Sequence, residues 1–255
     1  MPQLEIKNCG IQFGGLSALS NLNFNLGFPE ILGIIGPNGA GKTTFFNLLS
    51  GIYSPSFGTI HFNNTLLNPL KPQQINHLGI ARTFQNIRLF QNLSVLDNVR
   101  VAFNHRITYS LFDTVLLNKN YKNEETKVLT EAKKLLHAFD LESCQDELAT
   151  NLSYGDQRRL EIVRALATNP SLLLLDEPAA GMNAVEKKHL VELIQKIYRE
   201  RKISIILIEH DMAVVMNLCP RILVLDYGLL IAEGSPEQIQ KNPKVLEAYL
   251  GEPAS

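Results

Sequence analysis

Gly36-Pro-Asn-Gly-Ala-Gly-Lys-Thr43 has the spacing G-x-x-x-x-G-K-[ST]. The run before it, Ile31-Leu-Gly-Ile-Ile35, is apolar and of strand length. The run after it, Lys42-Thr-Thr-Phe-Phe-Asn-Leu-Leu-Ser50, reads as the first turns of a helix. Strand, glycine loop and helix together suit a nucleotide phosphate. Glycines let the backbone curl so that N–H groups face inward, and the helix N-terminus adds positive potential. The expected phosphate-binding residues are therefore Gly36, Pro37, Asn38, Gly39, Ala40, Gly41, Lys42, Thr43 and Thr44. Lys42 would reach the β- and γ-phosphates, and Thr43 would ligate Mg²⁺ through its hydroxyl. The competing reading is a glycine turn followed by a surface lysine.

The chain of 255 residues is long enough for a substantial core, and 45% hydrophobic with 19% charged residues is ordinary globular composition. A formal net charge of −1 gives no reason to expect nucleic acid as a partner. Cys9, Cys144 and Cys219 lie far apart with no C-x-x-C, which fits a reducing cytoplasm and offers no metal site. No apolar run approaches the ~20 residues a bilayer span needs, and the N-terminus lacks the layout of a signal peptide. The expectation is a soluble chain that works at a membrane only if a partner holds it there.

Residues 3–35 read as strands, with Asn21-Leu-Asn-Phe-Asn-Leu26 alternating strictly between polar and apolar. Short β pieces and turns follow at 57–84, punctuated by Pro55, Gly58, Pro69 and Pro72. A helical pattern then runs to about 167, strongest over 125–139, with 104–123 read as an irregular polar loop carrying a short helix. From 172 onward apolar strands alternate with helices: strand 172–175, helix 184–200, strand 203–208, a short helix, strand 221–226. That order predicts a parallel sheet covered by helices. The helical middle, 93–164, is an insertion into an α/β nucleotide-binding core formed by 1–92 and 165–255.

Chemistry gathers at the ends of the late strands. Leu172-Leu-Leu-Leu-Leu-Asp-Glu-Pro178 ends in two carboxylates, and parallel sheets place ligands at the carboxyl ends of their strands. Asp176 there suits Mg²⁺, directly or through water, and Glu177 suits the water that attacks a γ-phosphate. Their bland alternative is a pair of solvated acids. Ile203-Ser-Ile-Ile-Leu-Ile-Glu-His210 brings His210 to the same inferred edge, where it would bond a phosphate oxygen or position Glu177; the alternative is a structural histidine. Leu152-Ser-Tyr-Gly-Asp156 precedes a helical run read as 156–169, so Ser153 and Gly155 can face an anion at a helix N-terminus. Arg158 and Arg159 in its first turn oppose the helix dipole and otherwise read as a solvated pair partly offset by Glu161.

In this order, the phosphate loop, Gln85 after a strand, Leu-Ser-x-Gly, Leu-Leu-Leu-Leu-Asp-Glu and His resemble the ATP-binding subunit of ABC transporters over nearly the whole chain. The resemblance implies a P-loop NTPase core with a parallel sheet, an N-terminal antiparallel β subdomain and an inserted helical subdomain. It further implies a head-to-tail dimer with two ATP molecules, each held between one subunit's phosphate loop and the other's Leu-Ser-Gly-Gly-Gln motif. Ser153 and Gly155 would then bind the partner's γ-phosphate in trans. Phe13 would stack on adenine, unless it is a core phenylalanine. Gln85 would contact Mg²⁺ and the attacking water, unless it is a buried structural glutamine.

Two segments depart from the family pattern. Tyr154 and Asp156 replace the first Gly and the Gln of Leu-Ser-Gly-Gly-Gln, which a phosphate site tolerates only if the tyrosine points away. Ala180-Gly-Met-Asn183 replaces Ser-x-Leu-Asp, with Asn183 still able to hydrogen-bond across the dimer. With Gly79-Ile-Ala-Arg-Thr-Phe-Gln-Asn-Ile-Arg-Leu-Phe90 and Val245-Leu-Glu-Ala-Tyr-Leu-Gly251, these runs resemble the larger ATPase subunit of bacterial branched-chain amino-acid importers. That branch implies ATP and Mg²⁺ as cofactors, a paralogous ATPase partner, two integral-membrane permease subunits, an external substrate-binding protein and a place on the cytoplasmic face of the inner membrane. Leu89, Phe90 and Leu93 are expected as exposed apolar residues of the permease-receiving groove, against a plain core role. Importers of urea, amides or other amino acids share the pattern, and lipid export and a soluble ATPase outside transport remain as further alternatives. An intact Glu177 and His210 speak against a regulator without turnover.

Overall fold

The structure is a computed structural model and describes residues 3–106, 113–114 and 118–250. Two antiparallel strands open the chain, β1 (Leu4–Phe13) and β2 (Leu16–Leu26), followed by β3 (Ile31–Ile35), the phosphate loop and α1 (Lys42–Leu49). Next come β4 (Phe57–Phe62), β5 (Thr65–Leu66), α2 (Pro72–His77) and β6 (Ile80–Arg82). Among the described residues the middle holds α3 (Val95–Ala102), α4 (Lys119–Ala138) and α5 (Tyr154–Ala167). The rest is β7 (Leu172–Asp176), α6 (Ala184–Arg201), β8 (Ser204–Ile208), α7 (Met212–Leu218), β9 (Arg221–Asp226), β10 (Leu229–Gly234), α8 (Pro236–Gln240) and α9 (Pro243–Leu250).

The strands form two sheets, β2-β1-β4-β5 and β10-β9-β3-β8-β7-β6. The first is antiparallel throughout; in the second β9, β3, β8, β7 and β6 run parallel and β10 joins the edge antiparallel. In β2, Leu22, Phe24 and Leu26 are buried while Asn21, Asn23 and Asn25 are exposed, so its strict alternation gives one dry and one wet face. Strands β3, β7 and β8 are buried at every position. Side chains alternate across the sheet, so each strand serves two cores. Leu172, Leu174, Ile206 and Ile208 join a core shared with β1, β2 and α1. Leu173, Leu175, Ile205 and Leu207 join a second core shared with α4, α5 and α6. At about 1.5–3 kcal/mol for each fully buried Leu or Ile, these double-faced strands make the sheet the rigid platform of the molecule.

Several expectations need correction. Helix α4 begins at Lys119, so 119–123 is helical rather than part of an irregular loop; residues 107–112 and 115–117 of that loop lie outside the described residues. The Asn118 side chain accepts from the Tyr121 N–H and caps the helix, which explains the earlier start. Helix α5 begins at Tyr154 and places Arg158 in its second turn. Strand β10 and helices α8 and α9 had no counterpart in the sequence reading. Of the three apolar residues expected to be exposed, Phe90 is, with the Arg164 guanidinium 4.9 Å from its ring centroid. Leu89 packs against the helical core and Leu93 is half-buried.

Candidate active site

The phosphate loop closes on itself. The Lys42 ammonium donates to the Gly36 and Pro37 carbonyls at 2.7 and 2.9 Å. Burial pulls the Lys42 pKa down, and the nearby Glu177 and Asp176 charges pull it back up. Two glycines are required by shape. A Cβ on Gly36 would sit 2.0 Å from the Leu225 carbonyl oxygen, and one on Gly41, at φ 101°, would sit 2.7 Å from that of Ala18. The loop is also held from outside, since the Gly228 N–H in the β9–β10 turn donates to the Ala40 carbonyl at 3.1 Å.

In front of the loop lies a cleft of about 540 Å³, a size that suits a nucleotide. Phe13, Ser17, the loop residues Asn38 to Thr44, Gln85, Glu177 and Tyr227 line it. Phe13 is 44% exposed and meets Tyr53 edge-on at 5.1 Å, so the core-phenylalanine alternative is excluded. Gln85 is exposed as well, which excludes a buried structural glutamine.

The strand ends deliver the remaining chemistry. Strands β7 and β8 pair with Asp176 opposite Ile208, so Glu177 and His210 follow at the same edge. The Glu177 N–H donates to the Ile208 carbonyl at 2.9 Å and fixes its main chain there. The Glu177 Oε2 accepts from the Gln85 Nε2 at 3.1 Å and lies 3.8 Å from the His210 Nδ1. The His210 side chain is 64% exposed, which argues against a core histidine.

Asp176 behaves differently. It is 2% exposed, and its Oδ2 accepts from Arg82 at 2.9 Å. Arg82 also donates to Asn47 Oδ1 and Ser50 Oγ, at 2.7 and 3.0 Å. Burial raises the Asp176 pKa, and the Arg82 hydrogen bond and charge oppose that rise. Thr43 and Gln85, both in the cleft lining, carry hard oxygen donors of the kind that suits Mg²⁺. The Asp176 carboxylate stands behind them with its own counter-ion.

Ser153 and Gly155 do not line this cleft. Ser153 caps α5, accepting from the Asp156 N–H at 3.2 Å and donating to the Asp156 carboxylate at 2.7 Å. Asn183 likewise caps α6: its Oδ1 accepts from the Val185 and Glu186 N–H groups, and Glu186 accepts from the Asn183 N–H. The spacing Asn-Ala-Val-Glu is a capping box, a signal present in the sequence that the reading of Asn183 as a cross-dimer residue passed over. Arg158 is 3% exposed rather than solvated. Glu209, also unread, is 1% exposed; it accepts from the Ala179 N–H at 2.8 Å and ties the segment after Glu177 to that after β8. Burial pushes the Glu209 pKa up, against the backbone N–H groups that hold its charge.

Comparison with known proteins identifies the family. The model of the ABC transporter family matches residues 19–180, and that of the branched-chain amino acid ATP-binding cassette transporter matches residues 230–255. The chain is 45% identical to the high-affinity branched-chain amino acid transport ATP-binding protein LivG of Escherichia coli K12, over 98% of both chains. It is 39% identical to BraF of Pseudomonas aeruginosa, a protein described in the same words, again over 98% of both. The ADP conformation of MJ1267, an ATP-binding cassette of an ABC transporter, superposes with a TM-score of 0.85 at 30% identity, covering 99% of this chain and all of that one. The dimeric cassette MJ0796 in a post-hydrolysis state with ADP and Pi gives 0.77 at 25% identity, covering 91% of this chain and 98% of that one.

Proposed function

We propose a function from the premise that this chain belongs to the ABC transporter family of ATP-binding subunits. It is the ATP-hydrolysing motor of an importer for branched-chain amino acids. The observation that carries the reading is the meeting of Gln85 and Glu177 in the phosphate-loop cleft, with His210 beside Glu177.

ATP would lie along the cleft with adenine on Phe13 and its phosphates on the curled backbone of residues 36–44, Lys42 turning from the Gly36 and Pro37 carbonyls to the β- and γ-phosphates. Thr43 and Gln85 would hold Mg²⁺, with Asp176 adding negative charge behind them, and the ion would neutralise charge developing on the transferred phosphate. Glu177 takes the proton of the attacking water, and His210 holds that carboxylate and a γ-phosphate oxygen in register. A general base of this kind contributes about 10²–10⁴-fold.

The dimeric form of the MJ0796 relative supports completion of the site by a second subunit. Ser153 and Gly155 would supply that completion in trans, from a paralogous ATPase partner. The core of residues 1–92 and 165–255 would bind nucleotide, and the helical part 93–164 would move with it. Phe90 would face one of two integral-membrane permease subunits at the cytoplasmic face of the inner membrane, with an external binding protein delivering substrate. Among the described residues no helix is long and apolar enough to cross a membrane, so attachment through the permease is the reading that fits.

Lys42→Ala tests the site: ATP affinity of the purified chain should be lost, and full retained affinity refutes the loop assignment. The substrate is tested by reconstituting the chain with the membrane subunits that co-purify with it. ATP-dependent uptake of leucine supports the proposal. Uptake of urea or an amide instead, or association with ribosomes in place of permeases, overturns it.

A further inference from the structure

Tyr154 stands where the family pattern has glycine, and its exposed side chain lies against Arg158. The Tyr154 hydroxyl accepts from the Arg158 Nε and Nη2 at 3.2 and 2.9 Å, and the guanidinium lies 5.3 Å from the ring centroid. Arg158 is almost wholly buried and donates onward to main-chain carbonyls: Nη1 to Phe84 at 2.9 Å, Nη2 to Gln85. Glu161 supplies its counter-charge at 3.3 Å and accepts from the Phe84 N–H at 3.2 Å. The Gln85 side chain in turn donates to Glu177. On its other side the Tyr154 ring fills the space beside Gly181, where a Cβ would lie 2.8 Å from the ring Cε1. Position 181 is unconstrained in Ser-x-Leu-Asp and is glycine here, and the ring needs a residue without a side chain opposite it.

A rigid arginine fork with all its donors used transmits displacement better than a lone flexible contact. We propose that Tyr154 and Arg158 are positioning residues that couple the Ser153–Gly155 loop to Gln85, so that engagement of that loop by the partner's nucleotide sets the Gln85–Glu177 contact in this subunit's own site. The inference rests on Glu177 acting as the base. Tyr154 touches no reacting atom; it acts through Gln85. An exposed tyrosine serving only to fill space beside Gly181 would need no hydroxyl, whereas the relay does.

The test is ATP turnover by the full chain in its assembled transporter. Tyr154→Phe keeps the ring and removes the hydroxyl. It should lower kcat about tenfold, the scale of losing a hydrogen bond to a charged group, and leave KM for ATP unchanged. Arg158→Lys keeps the charge beside Glu161 but cannot bridge the tyrosine and both carbonyls, and should give the same loss. In a Gln85→Ala background neither substitution should reduce kcat further, because the relay's target is gone. A wild-type kcat in Tyr154→Phe overturns the proposal, as does a loss that multiplies with that of Gln85→Ala. Glu177→Gln in the same assay separates the two readings. If it is inactive while Tyr154→Phe is normal, the relay alone fails; if it turns over normally, the base assignment fails whatever Tyr154 does.

Discussion

The Arg82–Asp176 pair lends itself to a quantitative perturbation. Its side chains are 6% and 3% exposed and 2.9 Å apart. Arg82→Met removes the charge while keeping an apolar stem between the Phe46 and Phe84 rings, which flank the guanidinium at 5.4 and 5.1 Å. The Asp176 carboxylate would be left in a dry site without its counter-ion, a loss of about 3–5 kcal/mol. Asp176→Asn should cost less, about 1–3 kcal/mol, because Arg82 keeps Asn47 and Ser50 as acceptors. The double variant should cost less than the sum by about 0.5–3 kcal/mol, since neither buried charge remains. Urea unfolding of the four proteins measures this cycle. The sign of the pH dependence follows from the raised Asp176 pKa. Without Arg82 that pKa rises further above 3.8, so the penalty is full at neutral pH and fades as acidification protonates the carboxylate in the folded state. A strictly additive double variant, or a loss in Arg82→Met below about 1 kcal/mol at pH 7, refutes the picture of a mutually dependent buried pair.

Three further outcomes follow from the site. Glu177→Gln should keep ATP affinity and lower turnover by at least about 10²-fold, checked by nucleotide titration beside steady-state ATPase assay. Ser153→Ala should spare ATP binding by the separated subunit but reduce ATPase activity of the dimer, and loss of the α5 cap should cost about 1 kcal/mol in unfolding experiments. The raised Glu209 pKa means that the contribution of this group to stability falls as pH rises above 4.5, where the unfolded chain ionises first. Glu209→Gln retains an acceptor for the Ala179 N–H and cannot ionise, so melting temperatures at pH 4.5 and 7 should shift in favour of the variant as pH rises.

What could be read from the chain and what could not divide by distance along it. The phosphate loop, the buried strands β3, β7 and β8 and the carboxyl-edge residues Glu177 and His210 were legible because each is a local pattern. They rest on a spacing, an apolar run, or the residue that ends one. Arg82 and Glu209 were not legible as buried groups, because nothing within a few residues of them shows what will hold their charge; Arg158 has Glu161 three residues on, but the carbonyls that use its other donors lie far along the chain. Arg82 meets Asp176 across 94 positions, Glu209 meets Ala179 across 30 and Arg158 reaches Phe84 across 74. A buried charge is tolerated only when such a partner arrives, so these residues become interpretable when the sheet order is known. Asn183 shows the reverse. It was read for what it could offer a distant subunit, and within the chain it is engaged three residues on, at the start of a helix, as is Asp156. The hydroxyl of Ser153 illustrates the consequence. It is held by Asp156 in the single chain, so any phosphate it binds in trans must compete with a carboxylate that a glutamine would have left uncharged. That competition favours release of the partner's nucleotide and predicts that Asp156→Gln tightens the ATP-bound dimer, measured as slower dissociation in the Glu177→Gln background; faster dissociation would show that Asp156 aids rather than opposes the contact.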